Sequence, residues 1–242
     1  MEFVILDGAR TPFGTFGGTL RDFTATDLGV IASKAVIEKT GIQPKDIDHV
    51  VFGNVNQTDK GAIYLPRHIG LRSGIPEDVP AYLVARACGT GVQAIITSCH
   101  MIGMGEAELL LCGGAENMSL FPHVLRGARW RGFKLGENPI LEDSLWVALA
   151  DPLPNVMMGI TAENLAQKYN ISRNEQDEFA LRSHKNAKKA TDEGKLKEEI
   201  VPVTISGKGE GGSLFRTDEH IRADASIEKL EKLKPAFKKD GT

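Results

Sequence analysis

The sequence predicts an α/β fold in which a mixed, mostly parallel sheet is covered by helices. Three observations point there. Apolar runs of strand length alternate with helical periodicity over the first 115 residues; a glycine-rich loop, Gly8 to Gly18, follows the first run; and a sharp strand-to-helix turn carries Cys88. In folds of this kind sites gather at the carboxyl ends of the strands.

Taken in order, Phe3–Leu6 reads as a buried strand. A helix from about Thr26 to Thr40 follows, its period carried by Leu28, Ile31, Ala32, Ala35 and Val36 and its end marked by Gly41. His49–Phe52 is a second strand, Ala62–Arg72 a helix disturbed by Pro66, and Ala81–Val84 a third strand. A helix from about Gly89 to Ile102 carries Val92, Ile95, Ile96, Cys99 and Ile102 along one apolar face, which makes Cys99 a core residue. Glu108–Cys112 is the next strand, with Cys112 also in the core.

From Phe121 to about Pro154 the pattern weakens into Gly, Pro, Arg and Trp, too long for a simple connection and therefore read as a functional lid. Helices return at Thr161–Tyr169 and at Arg173 to about Asp192, the second opened by a capping box, Ser172-Arg-Asn-Glu175. Glu199–Ile205 reads as a strand and Ser226–Leu233 as a short basic helix.

Composition bounds the function. With 41% apolar and 25% charged residues the 242-residue chain can bury a core, and no apolar run approaches the roughly 20 residues needed to span a bilayer. Neither a signal peptide nor a membrane segment is expected, and the chain reads as cytoplasmic with no membrane partner. A net charge of −3 gives no global attraction to nucleic acid, yet 20 of the 29 Lys and Arg lie after Leu120, which makes the second half the better place for an anionic ligand. The three cysteines form no CxxC pair, and no histidine cluster stands beside them at metal-ligand spacing, so no metal site is expected.

The strongest chemical signal runs from Ala81 through Cys88-Gly-Thr-Gly91 to Ala94: a strand, a bend with Cys at its apex, and a helix start. Unpaired amides and the positive end of a helix stabilise a thiolate, and the same amides can hold an oxyanion formed on an attacked thioester. Gly89 and Gly91 keep side chains out of a ligand's path. Taken alone, the pattern fits a buried cysteine at a strand-helix corner as well as it fits catalysis.

The stretch around Cys88 resembles the acylation motif of the thiolase family, and further segments resemble that family in the same order. These are Asp7-Gly-Ala-Arg-Thr-Pro-Phe-Gly14, Gly53-Asn54-Val55, Gly113-Gly-Ala-Glu-Asn-Met-Ser119, Gly159-Ile-Thr-Ala-Glu-Asn-Leu-Ala166, Asn174 to Ser183, Asp218-Glu-His-Ile-Arg222, Leu233-Lys-Pro-Ala-Phe237 and Asp240-Gly-Thr242. The resemblance implies a thiolase-like fold, with residues 1–242 forming the amino-terminal domain: an α/β core with the nucleophile over 1–120, and over 121–242 a lid and coenzyme A (CoA) binding loop region that returns to the core.

It also implies an acyltransferase. Cys88 would attack the keto carbonyl of a 3-ketoacyl-CoA, release acetyl-CoA and hold the acyl group for a second CoA, or in reverse condense two acetyl-CoA into acetoacetyl-CoA. No cofactor is tightly bound; CoA and acetyl-CoA are substrates, acyl-CoAs the small-molecule partners, and a homo-oligomer, dimer or tetramer, the expected assembly. By the same resemblance Arg222 meets the CoA nucleotide and Phe237 the adenine and pantetheine. Lys229 and His184 fall where some members touch CoA, with exposed helix residues as the alternative. Met157 and Met158 correspond to a pair lining the acyl and pantetheine channel, with core packing as the alternative.

Departures from the family pattern are Met157 for His, Ala85 for Asn and Thr90 for Ser, which bear on acyl-chain preference more than on the reaction. His68, His100 and His123 match no catalytic position. The family's Gly-His-Pro histidine and its second cysteine, in Cys-x-Gly-Gly-Gly, do not occur in these 242 residues. The resemblance therefore implies a second half that these residues do not include, the chain being either a fragment or one part of an enzyme whose carboxyl-terminal half is a separate polypeptide partner, and a chain that alone does not turn over. The competing reading is a non-catalytic CoA-binding or scaffold subunit. A ketoacyl synthase, which shares the nucleophile turn, is disfavoured by the long segment after Phe121.

Overall fold

Thr24 and Gly41 punctuate the first helix, α1 (Ala25–Thr40). The Thr24 side chain accepts from the Asp27 N–H while the Asp27 carboxylate accepts from the Thr24 N–H, and Gly41 at φ 69° closes the far end. There follow β1 (His49–Gly53), a 3-10 turn at Ala62–Tyr64 leading into α2 (Leu65–Arg72), β2 (Ala81–Val84), α3 (Thr90–Met104) and β3 (Leu110–Gly114). The computed structural model describes residues 2–205 and 212–242.

The three strands form one parallel sheet in the order β2-β1-β3, with Val50 opposite Ala81 on one side and Leu111 on the other. Because side chains alternate along a strand, β1 feeds two cores. Val50 and Phe52 join Val30, Leu65, Ile69 and Leu111 beneath α1 and α2, while Val51 meets Ala94 and Met101 of α3 on the opposite face. Gly29 lets α1 approach α2, since a methyl there would collide with the Ile69 side chain. An α/β layer with a parallel sheet covered by helices is therefore what the chain builds.

The rest of the chain supplies β4 (His123–Leu125), β5 (Leu141–Asp143), α4 (Ser144–Ala148), β6 (Ala150–Asp151), β7 (Val156–Met157), α5 (Met158–Tyr169), α6 (Arg173–Asp192), β8 (Val203–Ile205), β9 (Ser213–Phe215) and α7 (Ile227–Leu230). β4 pairs with β5, β6 with β7 and β8 with β9, all antiparallel. Two units result: residues up to Phe121 with Leu196–His220, and Pro122–Lys195 with Ile221–Thr242.

Several expectations need correction. Phe3–Leu6 is not a strand and is not buried; Val4 is 71% and Ile5 76% exposed, because these residues pair with no sheet edge. The Val92, Ile95 and Ile96 face of α3 is also turned outward. The buried face is Thr90, Ala94, Ser98 and Met101, mostly small residues that let the helix lie close on the sheet. Pro66 lies in the first turn of α2, where its missing N–H is no loss, and so begins that helix instead of disturbing it. The weakly patterned segment from Phe121 to Pro154 holds two short strand pairings and a helix. Among the described residues no helix is long and apolar enough to cross a membrane.

Candidate active site

Cys88 sits where β2 gives way to α3, and that turn is built by Thr90. The Thr90 hydroxyl accepts from the Arg86 N–H at 2.7 Å and donates to the Ala87 carbonyl at 2.7 Å, pinning the two residues before the cysteine. Ala87 takes the left-handed conformation, φ 44°, at a cost of about 1 kcal/mol for a residue with a Cβ. The strain falls on Ala87, since neither Gly89 nor Gly91 has a positive φ. A methyl at Gly91 would meet open space, which leaves room above the helix start.

The thiol is exposed and lines a cleft of about 770 Å³ at the carboxyl ends of the sheet, with Gly53, Asn54, Gly114 and Glu116. The Gly89 and Thr90 N–H groups are already engaged by the Arg86 and Ala87 carbonyls. Among the described residues no acceptor takes the N–H of Cys88 itself or of Gly91. These are the donors a developing oxyanion could use. The other two thiols differ. Cys99 is half-buried on α3, and Cys112 is half-buried in the core beside Val51 and Ala94, where burial pushes its thiol up from the ordinary range.

Two features of the cleft had no place in the sequence reading as individual residues. Asn54, 3% exposed, donates to the Ala115 carbonyl at 2.9 Å and to Glu116 at 2.8 Å. Burial raises the Glu116 carboxyl above the usual range, although the N–H groups of Val55 and Asn56 and the Asn54 amide oppose that shift. The available signal was the acid in Gly113-Gly-Ala-Glu116, directly after a strand. On the rim, Arg10 is held by Asp218 at 2.8 and 3.0 Å and by Glu199 at 2.7 Å.

The six residues assigned to CoA all belong to the second unit. His184 and Arg222 line one cleft of about 330 Å³ with Lys185, Lys188 and Lys189, and the His184 Nδ1 accepts from the Arg222 N–H at 3.2 Å. Three lysines from one face of α6 make that cleft cationic, although Lys188 and Lys189 are paired with Asp192 and Glu193. The spacing of 184, 185, 188 and 189 along a helix was the signal for it. Lys229 pairs with Asp224 on an exposed loop and α7. Phe237 packs over Gly159 of α5, where any side chain would collide with its ring. Met157, the half-buried N-cap of α5, pairs with Ala150, and Met158 beside it is exposed. Among the described residues no cluster of His, Cys, Asp and Glu could hold a metal ion.

The family model for the N-terminal domain of thiolase matches residues 3–242. The chain belongs to the thiolase family. It is 47% identical over 238 residues to the human mitochondrial 3-ketoacyl-CoA thiolase, covering 98% of this chain and 59% of that protein. To the beta-ketothiolase of Cupriavidus necator it is 42% identical, covering all of this chain and 61% of the other. The crystal structure of the human mitochondrial thiolase in complex with CoA superposes with a TM-score of 0.93 at 46% identity, over 98% of this chain and 58% of that one. The Bacillus anthracis acetyl-CoA acetyltransferase superposes with a TM-score of 0.92 at 40% identity, covering 98% and 59%. The chain thus spans about three fifths of the length of these thiolases.

Proposed function

We propose that this chain carries the acylation half of a thiolase reaction, with Cys88 as the nucleophile. The observation that carries this is the exposed thiol at a strand-helix turn, in a cleft at the carboxyl ends of a parallel sheet, beside amides without an acceptor. In the cleavage direction the Cys88 thiolate bonds to the keto carbon of a 3-ketoacyl-CoA. The bond between that carbon and its neighbour breaks, and the electron pair goes to the departing acetyl-CoA, which takes up a proton. The acyl group stays on sulfur until the thiol of CoA attacks it and restores the free cysteine. In that second step one thioester replaces another, so acyl transfer runs in either direction, and condensation of two acetyl-CoA is the reverse of the whole cleavage of acetoacetyl-CoA.

The CoA substrate is assigned to the second unit, with Arg222 at the nucleotide, Phe237 near the adenine and pantetheine, Met157 and Met158 along the acyl and pantetheine channel, and Lys229 and His184 as further CoA contacts. The supporting observation is the cationic cleft on α6. On this reading residues 121–242 hold the lid and CoA-binding loop region and the return to the core, the chain works in the cytoplasm as a homo-oligomer, and the proton donor and acceptor for each half-reaction come from a second thiolase half. Subcellular fractionation and light scattering test the location and the assembly.

The deciding experiment is peptide mapping after exposure to acetyl-CoA, from which a thiolate takes the acetyl group by thioester exchange with no proton donor from a second half, with acetoacetyl-CoA and CoA offered in a parallel sample. An acetyl adduct on the Cys88 peptide, absent in Cys88→Ser, is expected, without sustained release of acetyl-CoA by the 242-residue chain. The cationic cleft also favours a second reading, a CoA-binding subunit without chemistry; CoA binding without any adduct on Cys88 would establish that instead.

A further inference from the structure

Among the described residues, the cleft around Cys88 is lined by three ionisable groups: Arg10, Cys88 and Glu116. Arg10 is committed to Asp218 and Glu199, which leaves Glu116 as the one carboxylate facing the cleft, half-buried where burial of a charge is costly. Its two oxygens are both engaged. One accepts from the Asn54 side chain and the other from the Val55 N–H, each at 2.8 Å.

What those bonds hold is the end of β1, which packs against Thr90 in the turn that carries Cys88. Asn54 and Val55 form the turn that ends β1, and the Asn54 N–H also reaches the Val84 carbonyl of β2 at 3.4 Å. Gly53, one residue earlier, lies so close to Thr90 that a methyl would collide with the Thr90 side chain. Thr90 in turn holds Arg86 and the left-handed Ala87. A contiguous path of packed and hydrogen-bonded groups therefore runs from Glu116 through the Asn54–Val55 turn, Gly53 and Thr90 to the residue before Cys88.

We infer that Glu116 is a positioning residue for Cys88, fixing the thiol's place by bracing the β1 turn against Thr90 without touching sulfur. The inference rests on the reading that Cys88 is the nucleophile. Such a brace explains why a carboxylate is kept half-buried here: an apolar residue would leave the Val55 N–H and one of the two Asn54 amide hydrogens without a partner, the other still reaching the Ala115 carbonyl.

The test is the rate of iodoacetamide alkylation of each cysteine, resolved by peptide mapping across neutral to alkaline pH, in the 242-residue chain and three variants. Glu116→Leu is expected to slow Cys88 about tenfold while Cys99 and Cys112 are unchanged, because alkylation follows a thiol's access and the amides and helix start beside it, which the brace holds in place. Asn54→Ala, which breaks the brace from the other side and leaves the charge in place, is expected to slow Cys88 likewise. Glu116→Gln, which keeps the shape and one acceptor, should restore most of the rate.

The inference is overturned if Gln departs from the native rate as far as Leu does, since charge alone would then be the cause. It is equally overturned if Asn54→Ala leaves Cys88 unaffected. Should circular dichroism show that Glu116→Leu does not fold, Glu116→Gln against Asn54→Ala decides by itself. A native Cys88 no faster than Cys99 and Cys112 would instead sink the nucleophile assignment, while the ratios of variant to native rates still report on the brace.

Discussion

The two units of this chain are held together by different physics. In the first, β1 is sandwiched between two apolar cores, and Val50, Val51, Leu65 and Ile69 are all but completely buried. In the second, Ala166 and Asp177 are the only described residues that are buried, and order comes from local devices. Ser172 and Glu175 cap α6, Arg173 pairs with Asp177 at 3.0 Å, and Lys188 with Asp192 at 2.6 Å. The contrast teaches where each kind of chemistry can live. Cys88 stands at the edge of the buried framework, and the cationic cleft of His184, Lys185, Lys188 and Lys189 is carried by a helix rich in exposed charge.

The largest effect that could break this comparison is in the first core. Ile69→Ala should cost about 2–5 kcal/mol in urea unfolding, through lost burial and the cavity left between α1 and the sheet. Leu153→Ala in the second unit, at a residue 93% exposed, should change stability by less than about 0.5 kcal/mol. Equal costs at the two positions would mean that the distinction in burial has no energetic content.

A smaller, pH-dependent effect sharpens it. Burial alone would raise the Asp218 carboxyl, but the Arg10 guanidinium and the Phe13 N–H outweigh burial and hold it below the usual range. A group depressed on folding stabilises the native state above its unfolded value, near 3.9, and loses that contribution as the pH falls through the folded value. Denaturation of the native chain should therefore become easier on acidification through that window, and Asp218→Asn should flatten the dependence at the expense of stability at neutral pH.

The smallest effect is a capping change. Ser172→Ala should weaken the start of α6 by about 1 kcal/mol, visible as faster amide exchange in its first turn while the strands around Val50 keep their protection.

Much of the fold was legible because its signals are local. Ala81–Val84 and Arg173–Asp192 lie where apolar pattern and the Ser172 box put them, and Gly41 ends α1 as its left-handed conformation requires. The misreadings share one cause. Phe3–Leu6 has a strand's composition and the Val92–Ile96 face has a core's, yet composition says only that a surface is apolar, not that a neighbour covers it. In the candidate site, Cys88 could be singled out because a thiol at a glycine-flanked bend is rare enough to notice. Asn54 and Glu116 stood as unremarkable letters in two motifs, and only pairing across β1 and β3 brings them together.

The sequence by itself determined the order of elements and the family, and it placed Cys88 at a strand-to-helix bend, because each is written in short stretches whose conformational preferences do not need the rest of the chain. Tertiary structure alone decided which apolar faces are buried, that the strain beside the thiol falls on Ala87, and that the half-buried Glu116 carboxylate accepts from Asn54 and Val55 where β1 ends. Those outcomes depend on residues 30 to 60 positions apart meeting across a sheet, and the free energy of such contacts exists only once the strands have paired.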